Sequence, residues 1–572
     1  MIMTNAVFSC FLSSLVSWGY ATPITPIMQE EMQRGLTELT IEDQPRPYWI
    51  SIQTTEKQSF MTVASNGSIL QEKDDRTRRA IIDLRVGTPD FDNRNFDASS
   101  YNGMERVSLP IDNDSIAIKR ELWLGLDSAY KDAIEGYSEK VSAWEGREYP
   151  KSIEMLPLTN IVSLPEQSLP TTENWTTDYA TQVSSVFSEY PFLDSNEVFV
   201  YHADYVKTLI NTEGHQVSET FSQIVVAIEV TARAEDGTPM HTYRHWMEPN
   251  RESLPNINTI EEEARQMAGW LQTLQTAPIE EDYLGPVIFT QQPSMELFRQ
   301  LLLSQLSATP PPSQMPDYDG TIPRVNPTAR VGRRLLPLGW TVQDVTPAHP
   351  EEFGFYQYDD EGIAPVSTQL IDNGVVVNLL MSRIPRKNFD RSTGHGRADG
   401  LNRKVATPGV IEVRPKKHSS MRKLHKKGIQ LAKQTGLDYV LVVQQIEPLC
   451  LTQNFEIAFS GDEQLSGLTV PTEVYRWYAD GHTEPVRGLS FVGVDKKVLR
   501  DIVLAGEQGQ FIATNDDIYN RYSVIPIDNI GTSWSTPSVL IGELELRGQG
   551  GQELRLLPPP PIDIATNTPT NQ

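Results

Sequence analysis

The residues able to do chemistry are few and scattered. Nine histidines stand in the chain: His202, His215, His241, His245, His349, His395, His418, His425 and His482. His241 and His245 lie four residues apart in His-Thr-Tyr-Arg-His. On a helix that spacing points two imidazoles at one ion. Here the pair falls on the second strand of a predicted hairpin, because Ile224–Ala232 and Met240–Met247 flank Asp236-Gly237. Glycine at that point tolerates the positive φ of a tight turn. Four residues of strand span about 13 Å, which two imidazoles with metal bonds of about 2 Å do not close. Two histidines on one sheet face are the simpler reading. His418 and His425 are about 10 Å apart along a helix, also too far for one ion. Cys10 and Cys450 are the only cysteines, so a multi-Cys zinc module, an iron–sulfur site and a disulfide scaffold are excluded. Cys450 has no basic neighbour to lower its pKa and reads as an inert thiol. The chain contains no Gly-x-Ser-x-Gly elbow and no Walker-type loop. Asp359-Asp360-Glu361-Gly362 is a dense acidic turn. It offers an acid and a base, or ligands for a hard cation; alone it reads as a solvated turn with glycine at positive φ.

These residues need a folded frame, and the composition provides one. Of 572 residues, 39% are hydrophobic and 22% charged, which rules out wholesale disorder. The formal net charge of −26 repels phosphate backbones, so no nucleic-acid partner is expected. No apolar run reaches the ~18–20 residues that span a bilayer, so no membrane span is predicted. Ala6–Val16 is uncharged and mostly apolar, and Gly19 and Ala21 follow as small residues. Residues 1–21 therefore read as a signal peptide, although Met1–Asn5 carries no basic residue. That predicts a periplasmic or secreted protein; the alternative is a buried first helix in a cytoplasmic one.

Periodicity predicts helices over Ile27–Leu39, Ser115–Trp144 and Asn174–Tyr190, and a further helix over Thr259–Gln275 opened by a Thr259…Glu262 capping box. Strands are expected at Tyr48–Thr54, Ser59–Ala64 and Ala80–Val86, with Asn66-Gly67 as a turn. Hairpins mixed with helices argue for an antiparallel α+β unit over residues 22–284. Val287–Thr290 then leads into a helix at Ser294–Ser307. Residues 285–547 read as a second, β-rich domain, broken by one basic helix at Ser419–Thr435 that feeds the apolar strand Leu437–Gln444. That helix carries Arg422, Lys423, Lys426 and Lys427, either for an anionic partner or as a solvated face. Residues 548–572 are Pro-rich and predicted to be disordered.

The first half carries Arg46-Pro47-Tyr48-Trp49, Arg85-Val86-Gly87, Phe91-Asp92-Asn93 and Trp123…Ala129-Tyr130-Lys131. The second carries Gly285-Pro286-Val287, Gly332-Arg333-Arg334, the acidic turn, Asn373-Gly374-Val375, Met381-Ser382-Arg383, Thr393-Gly394-His395-Gly396-Arg397, Val486-Arg487-Gly488 and Thr536-Pro537-Ser538. This ordered set resembles the TldD/PmbA family, metallopeptidase-related proteins once called modulators of DNA gyrase. The resemblance implies an α+β fold: an amino-terminal α/β domain with an antiparallel sheet and helices, and a carboxy-terminal β-rich domain. It also implies homodimers, or heterodimers with a TldD-like subunit, around a proteolytic chamber that takes a peptide or unfolded segment. Active relatives hold zinc on a His-Glu-x-x-x-His helix, with a Cys as a further ligand. The equivalent stretch here, Ser294–Ser307, has Glu296 and no histidine, and Pro526–Ser538 has no Cys. The expectation is therefore a chain without cofactor, metal ligands or catalytic residues, resembling the non-catalytic TldE/PmbA type. Candidate peptide-groove residues are Asp359, Asp360, Glu361, Gly362, Arg383, His395, Arg397, Arg487 and Gly488. The arginines offer guanidinium groups for peptide carboxylates, and the glycines let backbone approach a peptide edge. Two alternatives stand beside this reading. One is an active metallopeptidase with a rearranged site using His395 with Asp359, Asp360 or Glu361. The other is an exported binding or scaffold protein that uses the fold as an interface.

Overall fold

The computed structural model describes residues 23–98, 101–146, 153–158, 160–310, 312, 330–398, 403–448, 468–515 and 531–548. The predicted signal peptide, both cysteines and nearly all of the Pro-rich tail lie outside the described residues. Among the described residues no helix is long and apolar enough to cross a membrane.

The first domain is built on long strands: β1 (Pro47–Ser65), β2 (Ser68–Thr88), β3 (Phe91–Asp92), β4 (Met104–Leu109), β5 (Ser195–Asn211), β6 (Gln216–Arg233) and β7 (Pro239–Glu248). They form one antiparallel sheet in the order β3-β2-β1-β5-β6-β7, with β4 beside β2. Side chains alternate across a sheet, and the sequence uses both faces. Ile50, Ile52, Ile82 and Leu84 pack under α1 (Ile24–Glu38) and α2 (Ser115–Trp144). Farther along, Ala64, Val198, Val200 and Ile228 pack under α3 (Thr176–Ser185) and α4 (Ile257–Leu274). The opposite face turns toward the second domain, where Tyr201, Tyr205, Val225 and Tyr243 meet Phe353.

Two expected strands fuse into β1. The polar interval Thr55–Gln58 stays in the ladder because β2 and β5 pair it from both sides. Glu56 is held there by Arg76 at 2.6 Å and Arg78 at 2.7 Å. Helix α4 also begins earlier than the expected box. Asn256 caps it, its side chain accepting from the Asn258 N–H at 3.0 Å, so Thr259 already lies inside the helix.

The second domain opens with β8 (Tyr283–Phe289) and α5 (Gln291–Leu306). Its later strands are β9 (Trp340–Asp344), β10 (Thr368–Asp372), β11 (Val375–Val376), β12 (Gly396–Arg397), β13 (Val405–Ala406) and β14 (Val410–Pro415). After α6 (Met421–Ala432) come β15 (Tyr439–Ile446), β16 (Pro471–Tyr478), β17 (Thr483–Val486), β18 (Leu489–Phe491), β19 (Ile502–Asn515) and β20 (Gly531–Gly548). The main sheet runs β11-β10-β9-β14-β20-β8-β15-β16-β17, with β18 and β19 also on β20. β15 pairs parallel to β8 and is buried on both faces, as its apolar run requires. α6 packs Leu424, Ile429 and Ala432 inward, with Leu424 and Ile429 in one cluster with Ile288, Val440 and Leu540, while Arg422, Lys423 and Lys427 lie off that buried stripe. The fold is thus α+β, with two domains.

Candidate functional site

Helix α5 occupies the stretch that resemblance aligns with the zinc-bearing helix. Met295, Leu297, Phe298 and Leu302 are fully buried on it. Glu296 is buried too, and its Oε2 accepts from Arg299 Nε at 3.1 Å, a terminal Arg299 nitrogen at 2.8 Å and Gln300 Nε2 at 2.7 Å. The Ser294 hydroxyl donates to the Pro537 carbonyl at 2.7 Å, which brings Thr536-Pro537-Ser538 against the helix. This donor set does not fit zinc. The ion takes three or four imidazole, thiolate or carboxylate ligands, and α5 offers one carboxylate already engaged by a guanidinium. Among the described residues no three His, Cys, Asp or Glu side chains lie close enough to share an ion. His245 stands on β7 with Nε2 3.0 Å from the Ala513 carbonyl oxygen. Burial pushes its pKa down, so a neutral ring donates that bond.

The acidic turn is not a solvated one. Asp359 and Glu361 are only 2% and 9% exposed. Asp359 uses its carboxylate on backbone: Oδ1 accepts from the N–H of Glu361 at 2.9 Å and Ile363 at 2.8 Å, and Oδ2 from Gly396 at 2.8 Å. Burial, and then the neighbouring Glu361, hold its pKa well above the ordinary range. Glu361 Oε2 accepts from the Arg383 N–H at 2.6 Å. Its pKa is also raised, because burial outweighs the attraction of Arg383 and Lys404. The turn sits at the domain junction. Asp360 lies 3.3 Å from Lys207 of β5. Gly362, at φ +79°, offers its carbonyl to His215 Nε2 at 2.5 Å. A Cβ there would stand 2.4 Å from the imidazole, so the close approach needs glycine.

Arg383 crosses the same junction. Its terminal nitrogens pair with both Glu213 oxygens at 2.8 and 2.9 Å, and Nε donates to the Leu156 carbonyl at 2.7 Å. His395 lies deeper, with Nε2 3.2 Å from Asp344 and Nδ1 3.0 Å from the Thr393 hydroxyl. Arg397 donates to the Pro408 and Gly531 carbonyls, both at 2.9 Å. Arg487 donates to the Ala277 carbonyl at 2.9 Å and pairs with Asp236 at 2.7 Å, while Gly488 beside it turns at φ +77°. Asp360, Glu361 and Arg383 converge on open space at the junction. Asp359, Gly362, His395, Arg397, Arg487 and Gly488 do not line it.

That space is a cleft between the domains, with a second, roomier one beside it. Both touch Ser51 and Lys404. The walls include Trp49, Asp83, Arg85, Glu361 and Arg383, and farther along Gln53, Lys207 and Asp360. Residues quoted for the family resemblance build one wall: Tyr48 donates to Asp92 at 2.8 Å, and Arg85 pairs with Asp92 at 3.0 Å. Asp83, Arg94, Arg403 and Lys404 were not singled out from sequence. Asp83 and Arg85 carried a signal, since charges two apart inside Ala-Ile-Ile-Asp-Leu-Arg-Val fall on one strand face. Arg403 and Lys404 carried none.

Fold and junction define a two-domain α+β protein whose polar cleft lies between its sheets. Residues 285–548 match the PmbA/TldA metallopeptidase C-terminal domain. A 64-residue stretch is 39% identical to a metalloprotease of Methanocaldococcus jannaschii, covering 11% of this chain and 14% of that protein. Three solved structures share the fold. TldE of Thermococcus kodakarensis has a TM-score of 0.57 at 13% identity, over 91% of this chain and all of that one (100%). A protein described as a modulator of DNA gyrase from Thermotoga maritima gives 0.56 at 16%, over 87% and 96%. Another so described, from Bacteroides thetaiotaomicron, gives 0.54 at 11%, over 92% and 98%. The second domain therefore matches the PmbA/TldA C-terminal domain, and the chain shares the fold of TldE and of the two proteins described as gyrase modulators.

Proposed function

We propose that the chain is a non-catalytic, TldE/PmbA-like subunit that dimerises, with itself or with a TldD-like chain, and helps enclose or position a peptide segment. It acts without a metal of its own, in the periplasm or outside the cell. The observation that carries this reading is the state of Glu296. The one acid on α5 is bound by Arg299 and Gln300, on a helix with no imidazole or thiol. A zinc-dependent peptidase needs an ion held by protein ligands and a water it can polarise. The cleft beside the acidic turn supports the peptide-handling half of the reading, since it joins both domains.

The test uses the purified full chain, alone and co-expressed with a TldD-like protein. Metal content, native mass and peptide hydrolysis are measured together. The expected result is substoichiometric zinc, a dimer mass and no hydrolysis by the chain alone. Stoichiometric zinc that a chelator removes along with peptide cleavage would overturn the reading. So would a strict monomer in both preparations.

A further inference from the structure

Bases outnumber acids on the wall of the smaller junction cleft. Arg85, Arg94, Arg383, Arg403 and Lys404 line it, against the acids Asp83 and Glu361. Asp92 and Glu213 stand behind the wall and take Arg85 and Arg383. Asp83 is shared, 3.5 Å from Lys404 and 3.8 Å from Arg94. Arg403 donates to the Pro310 carbonyl at 3.1 Å and the Asn95 side-chain oxygen at 3.3 Å.

Three polar atoms of β1 and β2 on this face are buried without a hydrogen-bond partner: Nε of Arg85, whose residue is 7% exposed, Oε1 of Gln53, and Oδ1 of Asp83, which faces the Arg94 guanidinium at 3.8 Å. Orphaned buried groups of this kind are costly, and a ligand that meets them recovers that cost. Arg85 sits opposite Trp49 on the β1–β2 ladder, and Gln53 lies four residues along β1 on the same face. The separation is about 13 Å, the length of four extended residues. An unmatched cationic donor and, one short strand away, an unmatched acceptor are met by a carboxylate and a backbone N–H a few residues before it.

We propose that this cleft binds the free α-carboxylate of a peptide at Arg85 and Arg403, with the preceding residues running along β1 past Gln53 toward Lys207 and Asp360. The inference deepens the peptide-positioning reading above and rests on it. Binding is tested apart from zinc content and oligomeric state, so either reading can fail while the other stands.

The experiment is calorimetric titration of the full chain with penta-alanine as the free acid, penta-alanine amide, and inorganic phosphate. Arg403→Gln and Gln53→Leu are compared with the wild type, because Arg85→Ala would strand the buried Asp92. The free acid should bind about tenfold more tightly than the amide, and Arg403→Gln should erase most of that difference. Gln53→Leu should weaken the free acid and leave phosphate unchanged. Equal binding of acid and amide would overturn the proposal, as would phosphate binding as tightly as the free acid. An Arg403→Gln protein that binds the free acid like the wild type would overturn it too.

Discussion

Helix α5 and the junction cleft both bury charge, and they end differently. On α5 the charge closes locally: Glu296 is met by Arg299 one turn on, and Gln300 continues to Thr469 at 3.0 Å. At the junction the partners come from separate segments. Arg383 reaches Glu213 across 170 residues of sequence, and Asp83 meets Arg94 on one side and Lys404 on the other. The local pair closes through Oε2 of Glu296; its Oε1 is buried without a hydrogen-bond partner but lines neither cleft. A pair assembled from both domains leaves gaps between segments, and the orphaned Arg85 Nε lies in one. The helix is built to pack, whereas the wall keeps groups that can still bind.

The largest effect should come at Arg383. Arg383→Ala leaves Glu213 in a partly buried site without its bidentate partner and frees the Leu156 carbonyl. Breaking such a pair costs about 3–5 kcal/mol, read as a lower denaturant midpoint. Arg299→Met should cost about 3 kcal/mol for the same reason, since Glu296 is 0% exposed. Adding Glu296→Leu should then restore most of the loss, because apolar replacement of a whole buried pair is often neutral. If the double variant stays as unstable as the single one, α5 is not a self-contained packing element.

Much of this frame was legible in the sequence. Ser115–Trp144 has its apolar residues at helical spacing, and its ends coincide with α2. The Asp236-Gly237 hairpin is equally local, with Gly237 at φ +85°. The absence of histidine on α5 needed no structure at all. What sequence patterns missed is non-local. Thr55-Glu56-Lys57-Gln58 reads as a break, yet paired strands on either side keep it extended. Asp359-Asp360-Glu361 reads as solvated, yet the Asp359 carboxylate is taken by N–H groups of its own turn and of Gly396, far along the chain. The cleft needs Asp83, Arg94 and Lys404 together, and no spacing rule links positions so far apart.

At Asp83 the contrast between local and assembled charge becomes a question of pH. Burial pushes its pKa up, but Arg94, Lys404 and Arg85 outweigh burial and hold it at about 2, below the ordinary 3.8. A depressed folded-state pKa gives stability that is complete above the unfolded value and lost as pH falls through the folded one. Asp83→Asn should therefore cost about 2 kcal/mol at pH 7. The gap between variant and wild type should begin to close below about pH 4. A gap that stays constant down to about pH 3 would mean that the cleft cations do not stabilise the Asp83 carboxylate.

The smallest effect should come at Arg487, which also joins the domains but lies away from the cleft. Its side chain is 11% exposed, and its partner Asp236 is 40% exposed at the tip of the β6–β7 hairpin. Half-solvated pairs contribute about 1 kcal/mol or less, and the bond to the Ala277 carbonyl adds a similar amount. Arg487→Ala should lower the melting temperature by a few degrees and leave titration with free-acid penta-alanine unchanged. This variant divides two accounts of the junction. If every charged contact between the domains shapes the cleft, peptide binding falls with stability. If recognition resides in the wall around Arg85, stability moves and binding does not.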